Sequence, residues 1–436
     1  MILALAIALA LPPTGTFHLP DGVTEIASEW KLPEGAHDLT ILGGDHTILR
    51  TAANFQGRAV FSCSGCRGVR FAGFAIDGNR AALEKPLGVA PSDRAFSSVF
   101  PNNGILIEDA DQVSIDHVDF ANITNFAVLV NHSRGVAIDH VSVADSGSRN
   151  AQGRNNTSGG ILLEEGSEQF SVTDSTFRNI RGNGVWTHSR YMAPRNRDGK
   201  ILCNQFREIG RDAIEIGHAV GIDVADNHGA RIGFPVALVD VEGGGTPVGV
   251  DTAGNVEQST YENNRFEEID GKCFDLDGFH DGAVRGNTCI NRGAAEDYPF
   301  GHFGIVFNNA SIEMRSENIV VEDNELDGMK FGGIFVIGTG HKILHNRMRN
   351  INTAHCNENR AKFGCSVLGE EEILETGIYL GSHAEHPDPA RGNLIEGNTI
   401  SGWKMKTRCI QAAPGVKISA EDPADNLVRD NICTDE

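Results

Sequence analysis

One short unit returns along this chain and fixes what it can fold into. It consists of an apolar anchor, a small residue four positions later, and then a strand of alternating apolar and variable residues. The anchors are Ile180, Ile209, Ile269 and Met329, and the small residues are Gly184, Ala213, Cys273 and Gly333. Successive anchors lie 29, 60 and 60 residues apart, so the underlying period is close to 30. Units of that length cannot bury an apolar face alone. They do so by stacking, and the core grows in one dimension.

A second marker has the same period. Asn227, Asn264, Asn287, Asn324, Asn346, Asn398 and Asn431 each end an apolar-x-x-Asn stretch. Asn tolerates left-handed backbone, and its amide can bond the Asn of the next coil. The 51 glycines suit the many tight turns this requires. Strands of four or five residues between turns leave no room for crossover helices. The expected fold is all-β, a parallel β-helix solenoid with an N-terminal cap and long loop insertions.

The expected organisation is a signal peptide and linker over residues 1–16, cap strands over 17–64 and the β-helix over 65–436. Residues 1–11 are apolar and end in Ala8-Leu9-Ala10, like a signal-peptide core and its cleavage site. No stretch is long enough to span a bilayer as a helix. Three segments interrupt the period, at 77–103, 144–159 and 353–375. Each is a candidate lid or binding wall, or surface decoration.

The chain resembles the right-handed parallel β-helix, or pectate-lyase-like, superfamily. The resemblance covers residues 65–436 and rests on the coil period, the strand alternation and the Asn series. It implies a secreted protein of a group rich in polysaccharide lyases, glycoside hydrolases, epimerases and phage tailspikes. The polygalacturonase hallmark, an Asn-x-Asp strand followed by Asp-Asp and Gly-His-Gly, is absent. No catalytic residue is therefore carried over.

Nine cysteines point to an oxidising compartment, secreted or periplasmic. Cys273 and Cys409 open strands, and Cys289 and Cys433 each follow a turn Asn by two residues. These equivalent positions suggest the pairs Cys273–Cys289 and Cys409–Cys433. Cys356 and Cys365 would close a loop in an insertion. Cys63 and Cys66 form either a disulfide or two thiols, and Cys203 is left over. The formal charge of −22 excludes nucleic acid as a partner and favours a neutral oligo- or polysaccharide over a polyanion.

Alternation sends every second side chain outward. The first outward column reads Leu129, Leu162, Trp186, Glu215, Asp275, Val306, Phe335 and Tyr379. The second reads Asn131, Glu164, His188, Gly217, Asp277, Asn308, Ile337 and Gly381. Between Glu215 and Asp275 one coil lacks its anchor. Taking residues 236–242 as its strand places Asp240 and Glu242 outward, because the other register would bury both acids. Five carboxylates then share one patch, with His188 one coil away.

Crowded carboxylates raise one another's pKa, and a protonated acid beside an ionised one is what glycoside cleavage needs. Asp240 and Asp275 are the expected catalytic pair, with Glu215, Asp277, Glu242 and His188 as further candidates. Trp186, Phe335 and Tyr379 are expected to offer flat surfaces to sugar rings. Arg190 would bind a carboxylated sugar or neutralise Glu164, and His280 would contact substrate. No cofactor is required. Calcium is the alternative, held by Asp240, Glu242, Asp275 and Asp277 in a lyase or epimerase. A non-catalytic glycan-binding solenoid is the third reading.

Overall fold

The computed structural model describes residues 11–86, 88, 91, 93–240, 245–311, 314–365 and 372–435. The chain divides into two compact units. The first comprises Met1–Arg211, His218–Ile222 and Ala237–Asp240. The second comprises Asp212–Gly217, Asp223–Val236 and Val241–Glu436. Each is a parallel β-helix whose coils contribute one strand to each of three ladders.

In the first unit, one apolar residue per coil stacks on the next in every ladder. One register runs Phe61, Ile105, Val128, Ile161 and Val185. A second runs Ile41, Phe71, Ile115, Ile138, Val172 and Ile201. The third runs Leu49, Ile76, Phe120, Val143, Phe177 and Phe206. All are buried, so these columns are the core. Residues 17–64 lack the sequence period, yet their strands pair in parallel as rungs of the same ladders. The period is hidden there because strand Thr47–Ser64 runs on without a turn Asn to mark it.

The second unit repeats the scheme, with a first ladder of Val250, Phe274, Ile305, Ile334, Ile378 and Ile410. Its Asn series is a continuous chain of hydrogen bonds. Asn227 donates to Asn264, Asn264 to Asn287, Asn287 to Asn324, Asn324 to Asn346, Asn346 to Asn398 and Asn398 to Asn431. Each donates its backbone N–H to the same acceptor as well. The amides thereby satisfy buried turn groups that no strand can reach. Asn324→Ala is expected to leave such groups orphaned at a cost of about 1–3 kcal/mol each. A lowered urea midpoint would register it; an unchanged one would deny the ladder its role.

Disulfides join Cys63 to Cys66, Cys273 to Cys289, Cys356 to Cys365 and Cys409 to Cys433. Cys203 lies at the surface outside these bonds. No described helix is long and apolar enough to cross a membrane.

Candidate active site

The site forms in the second unit around strand Lys272–Asp277. Alternation drives Phe274 and Leu276 into the core and turns Asp275 outward, in register with Val306, Phe335 and Tyr379 on the following rungs. The preceding rung is where sequence and structure part. Residues 236–240 do not form its strand: Val236–Leu238 is a single 3-10 turn. Pro235 precedes it and has no N–H to give a ladder. The rung is strand Val248–Glu257, which sets Asp251 opposite Asp275. One signal for it was available. Gly249 stands in the small-residue position, followed by Val250 and Thr252 at the inward places. Asp240 instead accepts a 2.8 Å hydrogen bond from the Asn150 side chain in the first unit. Glu242 lies outside the described residues.

Asp251 joins Asp212 and Glu215, one carboxylate oxygen of each lying within 4.8 Å of the others. Asp212 was not foreseen because it sits in the turn before its strand, where it also accepts the Val248 N–H at 2.9 Å. The Asp251 carboxyl is pushed well above the usual range, first by burial and then by Asp212, Asp275 and Glu215. Lys272 forms an ion pair with Asp275 Oδ2. Burial opposes the Lys272 charge, but Asp275, Asp251 and Asp212 outweigh it and raise its pKa. Asp275 Oδ1 is buried and has no hydrogen-bond partner among the described residues. Asp277 is pushed up to about 6, by burial first and then by Asp275 and Glu385, against the Ala310 N–H that binds it at 2.6 Å.

A cleft of about 160 Å³ opens beside this cluster, with Lys272, His302, Asn308 and Glu385 as its polar members and Val306 and Phe335 among its apolar ones. His302 is held neutral, its pKa lowered to about 3 by burial, Lys272 and Lys330. Phe335 and Tyr379 are not exposed platforms, being 4% and 3% accessible. They stack on one another at 6.3 Å, and Phe335 presents one part of itself to the cleft. Gly381 permits this, since a Cβ there would lie 2.5 Å from the Phe335 ring. His280 is committed to Asp281 and Asn255, each at 3.0 Å, and serves a turn.

In the first unit the same column is closed. The 77–103 insertion lays Phe96 and Phe100 over Leu106, Leu129, Leu162 and Trp186. Trp186 is only 5% accessible, with the Phe96 ring edge-on at 5.1 Å. The sequence reading of an open aromatic surface failed here because alternation tells which way a side chain points but not what covers it. His188 packs against Phe96 at 4.7 Å, and its pKa falls to about 4 through burial, His218 and Arg190. Glu164 accepts the Phe96 and Ser97 N–H groups, each at 2.8 Å, and so anchors the insertion. Arg190 pairs with Glu165 at 3.0 Å rather than with Glu164. Phe96→Ala is expected to cost about 3–5 kcal/mol and to red-shift Trp186 fluorescence. A blue-fixed spectrum would contradict this packing.

A family model described as a right handed beta helix region matches residues 160–351. Among solved structures, the surface adhesin PfbA of Streptococcus pneumoniae aligns over 78% of this chain and 84% of its own, at 15% identity and TM-score 0.57. The fold is a right-handed parallel β-helix. Two enzymes share it. The GH136 lacto-N-biosidase from Eubacterium ramulus aligns over 80% of this chain and 62% of its own, at 13% identity and TM-score 0.55. The catalytic domain of a GH87 alpha-1,3-glucanase aligns over 77% and 60%, at 12% identity and TM-score 0.56. At these identities the likeness is one of fold. No curated protein matches the chain.

Proposed function

We propose that this right-handed β-helix is an extracellular or periplasmic carbohydrate-active enzyme, a glycoside hydrolase acting at Asp251 and Asp275. The observation that carries the reading is the contrast between two carboxyls on adjacent rungs. Asp251 is desolvated among like charges and keeps its proton, whereas Asp275 is paired with a lysine. Asp251 is the general acid for the leaving oxygen. Asp275 is the nucleophile, and Asp212 and Glu215 hold the Asp251 proton in place. Adjacent rungs stand about 5 Å apart, the separation used for retention, while inversion needs about 6.5–9.5 Å. The four disulfides fit an oxidising compartment. Two glycoside hydrolases among the structural neighbours add support.

The decisive experiment is a panel of neutral oligo- and polysaccharides, read by reducing ends and by ultraviolet absorbance together. New reducing ends without absorbance are expected, with the anomer retained by NMR. An unsaturated, absorbing product abolished by a chelator would replace this reading with the calcium-assisted lyase. That second reading has Lys272 in its favour, a basic group at the acids. The raised pKa of Lys272 weighs against it, since a lyase base must be neutral. Binding without any turnover would leave the non-catalytic solenoid.

A further inference from the structure

The first unit carries a second cluster of ligand-type side chains that the glycan reading leaves unused. Three rungs of one ladder are in register at Asp116, Asp139 and Thr173. The next residue on each rung, His117, His140 and Asp174, turns the chain in left-handed backbone, with φ of 50°, 50° and 49°. The same dihedral on three stacked rungs throws the three side chains out in the same direction. The His117 and His140 rings accordingly lie parallel, 5° apart in plane and 4.9 Å between centroids.

We propose that His117, His140, Asp139 and Asp174 form a binding site for one divalent transition-metal ion of the zinc class. One ligand atom from each of Asp139, His140 and Asp174 lies within 4.8 Å of the other two. His117, stacked on His140, supplies the fourth. Metal bonds of about 2.0–2.2 Å require these atoms to close in. His117, His140 and Asp174 are exposed, so rotation about their side-chain bonds achieves this without disturbing the core. The supporting contacts are of the kind that orient metal ligands. Asp116 engages the His117 Nδ1 and is itself bound by Arg70. Thr173 donates to Asp139 Oδ1 and so fixes this ligand, whose other oxygen lies 2.7 Å from the His140 Nδ1. Two imidazoles with two carboxylates select zinc, nickel or copper over calcium and magnesium, which take all-oxygen sites. An ion bridging His117, His140 and Asp174 ties three coils together and stabilises the folded state by mass action.

Calorimetric titration of the full chain with zinc chloride tests this, in a Cys203→Ser background so that the surface thiol adds nothing. One saturable zinc site is expected, with a rise in Tm that calcium chloride does not produce. His117→Ala/His140→Ala should abolish both. Asp116→Asn, which loosens His117 without removing a ligand, should weaken binding by about 10–100-fold. His132→Ala, altering a separate surface His–Asp pair, should leave binding intact. Zinc binding that survives the double substitution, that is lost equally in His132→Ala, or that never occurs would overturn the proposal. None of these readouts depends on glycan cleavage.

Discussion

Asp251→Asn is expected to lower hydrolysis of the responsive glycan by about 10²–10⁴-fold, the usual worth of a positioned general acid. Asp240→Asn, the substitution the sequence alone would have chosen, should leave the rate unchanged. The comparison tests the register directly, because the two differ only in which segment supplies the rung before Asp275. Loss of activity in Asp240→Asn with none in Asp251→Asn would refute the proposed site.

The pH dependence has a determined sign. A general acid must carry its proton, so the wild-type rate should fall as pH rises through the elevated Asp251 pKa, and Asp251→Asn should lack that limb. Stability moves in the same direction. A carboxyl whose folded pKa is raised contributes its stabilisation below the unfolded value, about 3.9, and loses it as pH climbs through the folded one. Asn carries no such dependence. The urea midpoint of Asp251→Asn should therefore exceed that of wild type, by a margin that widens above about pH 4. A variant that is both less active and more stable marks a residue kept for chemistry rather than folding.

The fold was readable because stacking makes every coil repeat the same physical problem. The inward columns and the Asn chain each have one solution per rung, and the period records it. Asp275, Asp277, Val306, Phe335 and Tyr379 were placed in their true register for that reason. Asp251 was not, because its coil has no anchor and the acid-rich segment at 236–242 competed for the rung. Trp186 was assigned the right direction and the wrong surroundings. Its cover comes from residues 96–100, inside an insertion with no period, and nothing local to Trp186 records that contact. Lys272 stands in neither outward column, since it is the first residue of its strand. Its reach to Asp275 comes from the length of its side chain, which a column analysis ignores.

That reach leads to a large expected effect on stability. Lys272→Met keeps the apolar stem but removes the charge, leaving the Asp275 carboxylate buried and uncompensated. Breaking a buried pair from one side costs about 3–5 kcal/mol, so the urea midpoint should drop sharply at neutral pH. Lys272→Met/Asp275→Asn removes both charges and should regain most of the loss. The coupling between the substitutions then measures the pair. If the single and double variants unfolded alike, Lys272 would serve substrate rather than the fold. The ion pair sets a cation on Asp275 beside acids that raise the pKa of its neighbour Asp251. In the proposed mechanism one lysine, entering from the strand's first position, sets the nucleophile Asp275 apart from the general acid Asp251.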